Sequence, residues 1–129
     1  MRQTMKKLIA ALVMLMATQA SAKDDIFALF NKEQFPQHQC LALNIYYEAR
    51  SSNLADKAAV ANVVLNRTND RRYPSTVCEV VKQGRKDSAG NMIRHQCQFS
   101  WYCDGNADIP TNTDAWVEAQ LLAWQMLEN

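Results

Sequence analysis

Among the 13 acidic residues of this 129-residue sequence, Glu48 stands in a pattern that gives a carboxylate chemical use. In CLALNIYYEARSS, residues 40–52, Leu41, Ile45 and Glu48 recur at i, i+4 and i+7, one face of a helix, with Ala42, Tyr46 and Ala49 beside it. The spacing places Glu48 on a core-facing stripe. Burial beside Leu41, Ile45 and Tyr47 disfavours the charged form, raises the pKa and keeps a proton available near neutrality, as a general acid requires. The same carboxylate has a structural reading as the partner of Arg50, Arg67 or a backbone donor.

Ordinary glycoside hydrolysis needs a second carboxylate facing the acid across the scissile bond. Asp104 and Asp108 are the candidates, in a turn-rich stretch where Asp residues commonly cap their own backbone. Phe99, Trp101 and Tyr102 form an aromatic cluster whose ring faces suit either sugar stacking or core packing. Ser-His-Asp order, GxSxG, a P-loop and GxGxxG are all missing, and His38 and His95 are the only histidines. A zinc reading would recruit His95, Cys97 and Cys103, but neither CxxC nor HExxH accompanies them, so no metal and no cofactor is expected.

The elements that position these residues follow an N-terminal leader. Arg2, Lys6 and Lys7 precede the apolar run LIAALVMLMA, and Ala20-Ser21-Ala22 has the small-x-small form of a signal-peptidase site. Ten apolar residues are too few to span a bilayer, which takes roughly 20. Cleavage of residues 1–22 leaves a catalytic domain over 23–129, 107 residues long, and turns the formal charge of +1 into −2, which excludes a polyanion-binding surface. With 48% hydrophobic residues and only 3 Gly and 3 Pro, that length makes one globular domain, expected to be monomeric and to meet the membrane only through its leader. Periplasmic or extracellular export places Cys40, Cys78, Cys97 and Cys103 in two disulfides, with three pairings open.

Periodicity then divides the exported part. Residues 24–35 read as a short helix closed by Pro36, and a helix carrying Glu48 starts near Gln39. Asn53 caps LADKAAVANVVLNR (54–67), apolar on nearly every side and so the expected core spine. Thr76-Val77-Cys78-Glu79 is a capping box opening a short helix that Gly84 stops. An irregular hairpin or loop fills 85–96, and a last helix, capped by Thr113, turns Trp116, Gln120, Ala123, Trp124 and Leu127 to one face. The class is mainly α (α+β), with one small β hairpin, stabilised by disulfides.

Three blocks, IYYEAR (45–50), AVANVVLNR (59–67) followed by RYPSTVCEVV (72–81), and CQFSWYCDG (97–105), resemble the cell-wall hydrolases typified by the spore cortex-lytic enzymes of bacteria and phage lysis cassettes. The resemblance implies a lysozyme-like fold that cleaves peptidoglycan glycan strands between N-acetylmuramic acid and N-acetylglucosamine, by a lytic transglycosylase or muramidase route. It places the catalytic acid on Glu48, and Asn66, Gln98 and Ser100 as substrate contacts with Arg67 and Phe99 in support. Tyr46 and Trp101 are further expected substrate contacts, and Arg50 and Asp104 further supports. A transglycosylase needs one carboxylate, because the muramic acid 6-hydroxyl supplies the nucleophile. Relatives read Glu-Ala-Arg-Gly-Glu, whereas Ser51-Ser52 follows Arg50 here, so no role passes to that second Glu. Two rival readings are an N-acetylmuramoyl-L-alanine amidase, which ordinarily uses zinc, and an exported peptidoglycan-binding relative without turnover.

Overall fold

Pro36 opens the first helix of the computed structural model, which describes residues 35–128. The leader and all but the last residue of the helix read over 24–35 lie outside the described residues. Helix α1 spans Pro36–Ala49. Proline suits the first helical position because the N–H it lacks would have no intrahelical acceptor there, so Pro36 begins this helix where the sequence reading had it close another.

Helix α1 is also the spine, in place of the 54–67 segment expected to hold that position. Leu41, Ala42, Asn44 and Ile45 are completely buried and Tyr46 nearly so. By contrast, helix α2 (Leu54–Thr68) buries only Lys57, Ala61 and Val64, and leaves Leu54 and Val63 exposed. An apolar composition on all sides had pointed to burial on all sides, yet α2 packs through the narrow Lys57/Ala61/Val64 stripe alone. The caps follow the sequence: Asn53 Oδ1 accepts from Asp56 N, and Thr76 Oγ1 accepts from Glu79 N at the start of helix α3 (Val77–Val81).

Strands β1 (Gly84–Lys86) and β2 (Met92–Cys97) form the expected hairpin, antiparallel with Gly84 opposite Cys97 and Lys86 opposite Met92. Asp87 Oδ1 accepts from the backbone of Ala89 and Asn91 and closes its turn. A 3-10 turn over Ser100–Cys103 follows. Helix α4 spans Thr113–Glu128, and its cap is Asn112, whose Oδ1 accepts from Ala115 N, not Thr113. Its buried stripe is Ala119, Leu122 and Ala123, rotated from the face expected, and Leu127 is exposed. Small residues at 119 and 123 let α4 lie close against α1, where His38 Nε2 meets the Gln120 carbonyl at 2.7 Å.

The four cysteines pair as Cys40–Cys78, joining α1 to α3, and Cys97–Cys103, closing β2 onto the 3-10 turn. Lys57 is buried with its ammonium 3.1 Å from Glu118 Oε1, tying α2 to α4. Residues 36–129 form one compact unit, and no helix among the described residues is long and apolar enough to cross a membrane.

Candidate active site

The C-terminal half of α1 brings Asn44 and Tyr47 to the 3-10 turn. Asn44 is fully buried, and its Oδ1 accepts the indole N–H of Trp101 at 2.9 Å. Tyr47, three residues on, stacks on the Trp101 ring with centroids 4.9 Å apart and planes 18° apart. Two buried donors here lack an acceptor, the Asn44 Nδ2 amide and the Tyr47 hydroxyl. Burial first, then the charges of Asp108 and other neighbours, push the Tyr47 phenol above its ordinary value.

Glu48 lies one helical turn beyond Asn44. It is exposed, which corrects the expectation of a core-facing carboxylate: Leu41 and Ile45 on its stripe are completely buried, but at this end of the helix the buried face is that of Ala42, Tyr46 and Ala49. Its carboxyl is nonetheless raised above the ordinary carboxylate range, and partial loss of solvent is the whole cause. Glu48 makes no ion pair or hydrogen bond with the described residues, so the structural pairing with Arg50 or Arg67 does not occur. Arg50 instead donates to the Tyr46 hydroxyl at 3.1 Å.

Two expected substrate contacts are interior. Tyr46 is 1% exposed, and its hydroxyl accepts from Thr111 N, Asn112 N and Arg50, anchoring the segment that leads into α4. Trp101 is 7% exposed, with its N–H committed to Asn44. Neither offers a free ring face. Asn66, Gln98 and Ser100 are exposed, and their side chains remain available.

Arg67, expected to meet a carboxylate at the end of α2, meets none. Its guanidinium lies 5.1 Å from the Tyr73 ring centroid and 5.7 Å from that of Phe99, with Nη1 buried between neighbours and unpartnered. Phe99 is buried, with its ring facing that guanidinium. The Asp104 carboxylate caps Asn106 N at 2.8 Å, the local role common for Asp in turns. Asp108 is raised by burial and by the charge of Asp104. Neither aspartate is bonded to Glu48. Among the described residues no group of three or more His, Cys, Asp or Glu is placed to hold a metal, and Cys97 and Cys103 are bonded to each other.

These contacts join the three sequence blocks: Tyr47 of the first to Trp101 of the third, and Arg67 of the second to Phe99 of the third. Asn44 was not foreseen. A polar residue four positions before Glu48, on the same helical face, was the signal available. Two surface cavities lie elsewhere, one of about 460 Å³ lined by Cys78, Glu79, Lys82, Gln83, Gly84 and Lys86, the other of about 430 Å³ lined by Asn62, Leu65, Asn69, Met126 and Leu127. Neither is lined by Glu48.

A family model described as Cell Wall Hydrolase matches residues 51–129. The chain belongs to the cell wall hydrolase family. The match takes in Asn66, Arg67, the 98–101 segment and the Cys97–Cys103 bridge, and continues through α4, beyond the reach of the three blocks. It begins three residues after Glu48, so the case for that carboxylate rests on the local structure of this cell wall hydrolase. No curated protein and no solved structure matches the chain.

Proposed function

We propose that this cell wall hydrolase is exported and cleaves the peptidoglycan glycan strand between N-acetylmuramic acid and N-acetylglucosamine, with Glu48 as its general acid and base in a lysozyme-like groove. The observation that carries the reading is the Glu48 carboxyl itself, raised by desolvation and paired with no cation among the described residues. A carboxyl in that state holds a proton closer to neutrality than a solvated one and can give it to the glycosidic oxygen.

The route needs one carboxylate. As the C1–O bond breaks, Glu48 protonates the departing N-acetylglucosamine oxygen; the carboxylate then takes the proton from the muramic acid 6-hydroxyl as O6 closes on C1. The products are an anhydro-muramic end and a free 4-hydroxyl, with Glu48 protonated again. Asn66, Gln98 and Ser100 offer exposed amide and hydroxyl groups for the N-acetyl and hydroxyl substituents. Two disulfides support export, since such bonds persist in oxidising compartments. Digestion of purified sacculi followed by mass analysis tests the reading: new glycan ends that disappear in Glu48→Gln support it, and released stem peptides with intact glycan would replace it with amidase chemistry.

A further inference from the structure

We propose that the 460 Å³ cavity between α3 and β1 is a second binding site, for the carboxylate- and amine-bearing peptide stems of the cell-wall polymer; the proposal rests on the peptidoglycan reading above. The volume falls in the range of small-molecule sites, and the lining is charged: Lys82 and Lys86 supply ammonium groups, Glu79 a carboxylate and Gln83 an amide. None of these four side chains has a hydrogen-bond or ion-pair partner among the described residues. Two cations and one anion complement a ligand with an excess of carboxylates and one free amine. A polyphosphate fits poorly, because Glu79 would repel it.

The walls are held in place. Cys78 is bonded to Cys40, and its backbone N–H donates to Gln37 Oε1 at 2.9 Å. Gly84 approaches the second disulfide so closely that a Cβ would lie 2.8 Å from Cys97 Sγ and from Met92 Cε, so the floor admits no side chain there. The Gln83 carbonyl accepts from Gln98 N at 2.9 Å, which makes the cavity adjacent to the 98–101 segment of the candidate active site. Cys40 precedes Glu48 by eight residues, roughly 12 Å along the helix. A peptide stem attached to a muramic acid near the acid is within reach of such a site.

The test uses the oxidised protein labelled for NMR, with the N-acetylated tripeptide acetyl-L-Ala-γ-D-Glu-diaminopimelate and, separately, a peptide-free chitin oligosaccharide. Saturable shifts at Glu79, Lys82, Gln83, Gly84 and Lys86 with the tripeptide alone are expected. K82A/K86A should weaken the tripeptide Kd about tenfold without changing the unfolding midpoint, and K82R/K86R should restore it. Equal shifts with acetate at the same concentration, shifts confined elsewhere, or the oligosaccharide perturbing the same residues would each overturn the site. The two readings fail separately. Tripeptide binding by a protein that never cleaves sacculi keeps this site and removes the glycosidase, while cleavage of sacculi with no tripeptide shift does the reverse.

Discussion

Asn44 and Trp101, 57 positions apart, are joined by a buried hydrogen bond of 2.9 Å from the indole N–H to the amide oxygen. That bond fixes the ring on which Tyr47 stacks, and Tyr47 adjoins Glu48. Asn44→Ala strands the indole donor in a dry environment, at a cost of about 1–3 kcal/mol. Trp101→Phe strands the amide instead. Combined, the two should cost less than their sum, because both remove the same bond. Urea unfolding of the two single variants and the double variant checks this, and strict additivity would count against a shared bond.

Glu48→Gln should preserve the fold and lower turnover of sacculi about 10²–10⁴-fold, the usual contribution of a general acid. Its effect on stability has a definite sign. A carboxyl raised in the folded state is bound more tightly by its proton there than in the unfolded chain. Its stabilising contribution is full below the ordinary carboxylate pKa and disappears as pH rises through the raised value. At pH 7 the variant should therefore be as stable as the parent or slightly more so, and at pH 3 it should show no gain. Thermal unfolding at both pH values measures the difference; marked destabilisation of Glu48→Gln at pH 7 would return Glu48 to a structural role.

Local signals in the chain were reliable at several positions where a single residue acts on its own backbone, although the last helix is capped by Asn112 and not by the expected Thr113. Asn53, Thr76 and the Asp87–Asn91 turn behave as their types dictate, because a cap or turn is decided within four residues. Burial was less legible. Periodicity put Glu48 on the stripe of Leu41 and Ile45, but it does not record which of two adjoining stripes stays covered, and at the helix end that is the one of Ala42, Tyr46 and Ala49. Composition likewise mistook α2 for the spine, since which face packs depends on neighbours distant in sequence. Lys57 illustrates the limit: its burial depends on Glu118, 61 residues away. Tyr46 and Trp101 were expected to be substrate contacts, and only the bonds from Asn112 and to Asn44 reveal that both are interior.

The two disulfides should differ in what they contribute. Cys40–Cys78 closes a separation of 38 residues and Cys97–Cys103 one of 6. Loop-closure entropy then assigns about 4 kcal/mol to the first and about 2 kcal/mol to the second. Paired Cys→Ser variants, compared by urea unfolding, should show the larger loss at 40/78. The opposite order would mean that the hairpin bridge organises more of the fold than its short loop predicts.

Tyr46 gives the clearest pH dependence. Its hydroxyl is lowered from 10.0 to about 8, first by the backbone N–H of Asn112 and next by the guanidinium of Arg50, both of which favour the phenolate. A depressed pKa means that the folded state releases this proton before the unfolded chain does. The added stability is therefore complete above pH 10, and it vanishes as pH falls through 8. Tyr46→Phe removes the titrating group and an acceptor for two backbone donors, so the variant should be less stable at every pH, and the gap in unfolding midpoint should widen from pH 7 to pH 9.5. Ultraviolet titration should show one tyrosinate forming near pH 8 in the parent and none there in the variant. A gap that stays constant across the series would mean that the hydroxyl keeps its proton and only its hydrogen bonds matter.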